Sequence, residues 1–386
     1  MRNAECGMIR RQKMNMRQRY REAILFGNPD KIPLTPGYPR ESTLMAWKNQ
    51  GLDKPYIEAL REILGLPSEA FFSGFNAGVS TRMIPEYESI ILEHANGHYL
   101  VRDHMGATVE ISDQFTPDYL RTARDFVTRK WHKFPVENRE DWQEMKKRYN
   151  PDEPARFPAD FDKQCEAWKN RDRLLSFNFN GIFWQLREWC GMEGLCMLML
   201  DEPELVHEMC EFWSDFMSSL LKKICSLAEL DNIMINEDMA YKAHSMISPA
   251  MTREFIQPAY NAWIPVIKKS GCHSIELDSD GYVGELIPIW IESGIYCNSP
   301  VEVAAHNDIL EFRRKYGKQM AFKGGIDKRI MARGGKELEQ HVKRIVPEMY
   351  KLGGYIPGCD HGVPPDISWK NFIEFTRLLA KLSGWL

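Results

Sequence analysis

His273-Ser274-Ile275-Glu276-Leu277-Asp278-Ser279-Asp280-Gly281 is a run in which apolar and acidic residues alternate before a glycine turn. A period of two places Glu276, Asp278 and Asp280 on one face of a strand, and Ile275 and Leu277 on the other. Three carboxylates on one face need a cation, a shared proton or a polar substrate to offset their repulsion and desolvation. A metal site is one solution. A solvated strand end, with Asp280 capping the turn at Gly281, is the plainer one.

The same grammar recurs on both sides of this run. Apolar stretches ending in polar clusters stand at L-L-S-F-N-F-N-G (174–181), N-I-M-I-N-E-D (232–238), G-I-Y-C-N-S-P (294–300), M-A-F-K-G-G-I-D (320–327) and G-Y-I-P-G-C-D-H (354–361). Amphipathic helical patterns separate them, among them D-E-P-E-L-V-H-E-M-C-E-F-W (201–213) and G-K-E-L-E-Q-H-V-K-R-I-V-P-E-M (335–349). Regular alternation predicts parallel βα units, in a doubly wound sheet or a closed barrel. No G-x-G-x-x-G follows the first strand, which favours an α/β chain of the (β/α)8 TIM-barrel class.

The first half is less regular. Residues 1–28 read as a helical leader, with M-R-Q-R-Y-R-E-A-I-L-F (16–26) carrying apolar positions at helical spacing, and residues 29–386 as the barrel itself. K-I-P-L-T-P-G-Y (31–38) reads as a short first strand. Asn96-Gly97, between β-rich runs, predicts a hairpin inserted in a barrel loop. Residues 115–173 read as charged helices, with W-H-K-F-P-V (131–136) and Y-N-P-D-E-P-A-R-F-P (149–158) as breaks.

Across 386 residues the chain is 44% hydrophobic and 27% charged, with a net charge of -4, which suits a large core and gives no field to attract nucleic acid or an anionic membrane. A small-molecule substrate is the expected partner. The nine cysteines are odd in number and lack a C-x-x-C pair, so reduced thiols and a cytoplasmic location are expected. The Met-rich leader and Trp-rich helices are candidates to cover a homodimer interface.

Polar residues cluster where the apolar runs end, at Asn236-Glu237-Asp238, Asp278-Ser279-Asp280, Asn298, Asp327 and Cys359-Asp360-His361. In a barrel these ends meet on one rim; the competing reading is that each cluster caps the helix after it. One of Glu237 and Asp238 faces the rim as a metal ligand or general acid/base, and period alone does not say which. Cys359 and His361 supply a thiol and an imidazole, both plausible zinc ligands. Asn298 and Tyr241 are candidates to contact a cofactor.

The stretch F-I-Q-P-A-Y, the D-S-D-G strand, S-P-V-E, K-G-G-I-D-K-R and G-C-D-H-G-V-P-P-D-I-S-W-K-N-F together resemble the uroporphyrinogen decarboxylase superfamily, over roughly residues 170–386. The superfamily also holds methylcobamide:coenzyme M methyltransferases and substrate-to-corrinoid methyltransferases. The resemblance implies a (β/α)8 barrel. His361-Gly362-Val363 is similar to the decarboxylase H-G-I motif and Gly324-Gly325-Ile326-Asp327 to its G-N-x-D-P. The R-Q-A-G-R-Y motif is missing, with only Pro39-Arg40 in the comparable place, which argues against uroporphyrinogen as substrate.

In the methyltransferase branch a His-x-Cys pair and a late Cys hold zinc. Here the pair reads Asp278-x-Asp280 while Cys359 remains. The resemblance therefore implies methyl transfer from a methoxylated molecule to a corrinoid protein, with zinc on Glu237, Asp278, Asp280 and Cys359, and with His361 and Asp238 as acid/base groups. The alternatives are a carboxy-lyase using Asp327 and His361 for protons and Arg329 for a carboxylate, and a non-catalytic corrinoid- or tetrapyrrole-binding barrel.

Overall fold

The computed structural model describes residues 13–123, 125 and 127–386. In chain order its strands are β1 (Gly74–Asn76), β2 (Ile90–Ala95), β3 (His98–Arg102), β4 (Thr108–Ser112), β5 (Lys130–Lys133) and β6 (Leu174–Asn180). Then follow β7 (Asn232–Asn236), β8 (Ser274–Asp278), β9 (Cys297–Ser299), β10 (Ala321–Ile326) and β11 (Tyr355–Cys359). Every pairing along the order β1-β6-β7-β8-β9-β10-β11 is parallel.

Residues 34–36 close this sheet on itself. On one side the Leu34 N–H donates to Ala70 O at 2.9 Å and the Phe72 N–H to Leu34 O at 3.0 Å. On the other the Cys359 N–H donates to Pro36 O at 3.1 Å, and the Thr35 hydroxyl to Pro357 O at 3.2 Å. The segment holds the eighth place of a (β/α)8 ring as isolated bridges, because Pro33 and Pro36 offer no N–H to a continuous ladder.

The six later strands fall on the six apolar runs read from the sequence. Their outward residues, such as Phe179, Ile235, Leu277 and Phe322, are buried against the helices. Phe179 meets Trp263 edge-on at 5.2 Å, and Phe322 stacks on Phe312 at 6.2 Å. β1 escaped the sequence reading because Gly-Phe-Asn has neither length nor an apolar pattern.

The leader is helical over Met16–Ile24, with Asn15 and Gln18 forming a capping box; residues 1–12 lie outside the described residues. Its apolar side packs on Leu174, Cys297, Ala321 and Ile356, so it plugs the amino end of the ring. The expected hairpin is present, turning at Asn96 and Gly97 with φ of 53° and 77°. It is part of something larger, an antiparallel sheet ordered β2-β3-β4-β5. Its edge strand β5 comes from the W-H-K stretch read as a break. Among the described residues no helix is long and apolar enough to cross a membrane.

Candidate active site

Inside the ring the alternation leaves polar residues. Near the amino end, the Tyr20 hydroxyl of the plugging helix donates to Asn232 Oδ1 at 3.0 Å, as does the Ser274 hydroxyl at 2.7 Å. Glu276, 1% exposed, accepts from Lys323 Nζ at 2.8 Å, Ser299 Oγ at 2.7 Å and Asn232 Nδ2 at 3.3 Å. Burial pulls the Lys323 ammonium down, and the Glu276 carboxylate more than reverses this, so the floor holds a true ion pair.

One step toward the carboxyl end the environment changes. Asp278 sits on the same face of β8, and burial first, then Asp280, Glu276 and Asp238, push its carboxyl up to about 7. No side-chain partner of the Asp278 carboxyl exists among the described residues. Asp280 meets His361 Nε2 at 2.8 Å, and this hydrogen bond, with the carboxylate's charge behind it, raises the imidazole against burial, Lys328 and Arg40. Arg40 NH2 lies 3.4 Å from His361 Nδ1. Asp238 holds Arg187 at 3.0 Å, its backbone turned by a φ of 46°. Gly281 lets this rim close up, since a Cβ there would stand 2.3 Å from Ala240 O. The mouth therefore carries a carboxyl with a raised pKa between the Asp280–His361 hydrogen bond and the Asp238–Arg187 ion pair.

The expected residues divide. Asp238, Asp278, Asp280 and His361 gather at the mouth. Glu237 turns to the back, accepting the N–H groups of Ile182, Phe183 and Trp184 at 3.1, 2.8 and 3.2 Å and the Tyr260 hydroxyl at 2.7 Å. It satisfies the first turn of helix Ile182–Cys190 from a distance. Asp327 caps helix Lys328–Arg333 and binds Arg329 at 2.8 Å, so the cap reading prevails there. Asn298 pairs in register with Leu277 and Phe322 on the helix side of the sheet. Tyr241 is exposed on the rim loop, its N–H donating to His244 O at 3.0 Å.

Comparison with known proteins agrees with this architecture. The family model for uroporphyrinogen decarboxylase (URO-D) matches residues 187–382, just over half of the chain. The chain belongs to the uroporphyrinogen decarboxylase family. A uroporphyrinogen decarboxylase of Nocardia farcinica is 26% identical over 174 residues, 44% of this chain and 46% of that protein, so the match spans less than half the relative's length. Among solved structures, a methyltransferase from Methanosarcina mazei superposes with a TM-score of 0.55 at 12% identity, over 95% of this chain and 99% of that one. That likeness is one of fold.

Zinc does not fit the donor set this family member presents. Register pairs Tyr355 with Phe322 on the helix side, and Cys359, four residues further along β11, with Ile326, so its thiol points to the helix layer, away from the face of Asp278. Burial pushes that thiol up to about 12. With Glu237 committed to its helix, the expected four ligands split into three places. Among the described residues no three His, Cys, Asp or Glu side chains are arranged to hold a metal ion. The sequence reading also missed Lys323, Asn178 and Arg187 around the lumen. Parity along β6 and β10 would have picked out the first two; Arg187 follows only from the fold.

Proposed function

We propose that this protein is a methyltransferase in which Asp278, as the neutral acid, protonates the departing oxygen of a small methoxylated substrate. The observation that carries the reading is a carboxyl held uncharged up to about 7, open to the lumen and without a protein partner. An acid whose pKa lies near the working pH combines the right protonation state with a useful driving force. The methyl–oxygen bond breaks with its electron pair left on oxygen, which takes the Asp278 proton. The methyl group passes to the cobalt of a reduced corrinoid carried by a partner protein, which supplies the pair for the new bond. Asp280 and His361, on the same rim, return a proton to Asp278.

The second reading is a carboxy-lyase, the reaction named by the family and by the Nocardia relative. Arg40 favours it, since this guanidinium faces an imidazole and no carboxylate among the described residues. The same acid would then protonate the carbon that loses carbon dioxide. One experiment separates the two. Purified protein is given small methoxylated molecules and carboxylic acids with a reduced corrinoid protein, and cobalt methylation is followed by absorbance while labelled carbon dioxide is collected. Methylation that Asp278→Asn abolishes supports the first reading; carbon dioxide without methylation replaces it with the second.

A further inference from the structure

We infer that the lumen is shaped for a small, uncharged, hydroxyl-rich substrate of polyol or sugar type, an inference that rests on the barrel mouth being the active site. Barrel interiors are ordinarily filled by Val, Ile and Leu. Here the inward positions of β6 and β7 above the floor are Asn178, Asn180, Met234 and Asn236, with Met234 the single apolar side chain. Asn178 is exposed in the middle of β6 while Phe177 and Phe179, on its other face, are buried. Its exposure therefore opens onto the lumen.

Asn180 is engaged by Gln185 and Glu188 at 3.2 and 3.3 Å. Asn178 and Asn236 have no side-chain hydrogen-bond partner among the described residues. Each carboxamide offers two donors and an acceptor, the complement of a substrate hydroxyl, which also donates and accepts. The register Asn180↔Asn236 and Asn236↔Asp278 runs this surface directly into the acid. A hydroxylated ring resting on Asn178 and Asn236 presents its neighbouring oxygen to Asp278.

Charge points the same way. Lys323, His361 and Arg187 are each matched by a carboxylate, at 2.8, 2.8 and 3.0 Å. A substrate with several carboxylates would have to break these pairs, because among the described cations of the mouth Arg40 alone faces no carboxylate and can meet only one, and a flat aromatic ring would find little to stack on along β6 and β7. Neutral hydroxyls need neither.

The test is calorimetric binding to the full chain, with myo-inositol and its mono-O-methyl ether as probes and 4-methoxybenzoate as the flat anionic control. The expected result is binding of the polyols, weakened about tenfold by Asn178→Ala and again by Asn236→Ala, with the thermal midpoint unchanged because neither side chain has a protein partner. Failure of either polyol to bind, tighter binding of 4-methoxybenzoate, or affinity indifferent to the double variant would overturn the inference. Asp278→Asn separates it from the reaction itself: binding that persists while turnover stops leaves both standing, and turnover that persists sinks the acid's role alone.

Discussion

Glu276 and Asp278 are two residues apart on one face of one strand, and the protein treats them oppositely. Glu276 is enclosed by Lys323, Ser299 and Asn232 under a helix that seals the amino end. Asp278, at the carboxyl end, has like charges as its nearest ionic neighbours and stays protonated up to about 7. The difference lies in what surrounds the strand end. A satisfied buried charge is silent, whereas a carboxyl denied both water and a counter-ion keeps a proton to give away.

The largest expected effect tests the mouth. Asp278→Asn should lower kcat about 10²- to 10⁴-fold with KM little changed, the range of a lost general acid; a smaller loss would erase the contrast. In the unaltered protein kcat/KM should fall as pH rises through about 7, because the acid is the protonated form. A rise there would assign Asp278 the role of base.

The floor should respond in stability. Lys323→Met leaves Glu276 buried without its cation and should cost about 3–5 kcal/mol in denaturant unfolding. Adding Glu276→Leu should recover most of that loss, and a double variant as weak as the single would show that the pair does more than neutralise itself.

Stability at the mouth carries the opposite sign. The raised Asp278 pKa means that the folded state is favoured fully below the ordinary carboxyl range and loses that advantage as pH climbs toward about 7. Asp278→Asn, uncharged throughout, should therefore match the parent near pH 4 and exceed it by about 4 kcal/mol at pH 8. Thermal unfolding at the two pH values reads this directly. The smallest effect is expected at Cys359→Ala, roughly 1 kcal/mol from one lost buried sulfur, with turnover unchanged. A loss of turnover there would return the thiol to the site.

Much of this was legible in the amino-acid sequence. Six apolar runs with helices between them predicted the parallel barrel, and period-two alternation alone brought Asp278 and Asp280 to one face. Local order carries such information because strand parity and helix periodicity are properties of neighbouring residues. Ranking the polar clusters was beyond it. Glu237 and Asp238 are adjacent in the chain, and only the position of helix Ile182–Cys190 gives the first to structure and leaves the second at the rim.

Cys359 seemed a ligand by proximity to His361, yet the register with β10 turns it outward. Lys323, inside an apolar run that ends in two glycines, became the counter-ion of Glu276 only when β8 and β10 were set on either side of β9. Composition and pattern determined the strands, the helices and which residues each strand shows to one side. Which acid loses its partner, and so its charge, depended on contacts between residues far apart in the chain, because desolvation and ion pairing are set by what finally surrounds a group.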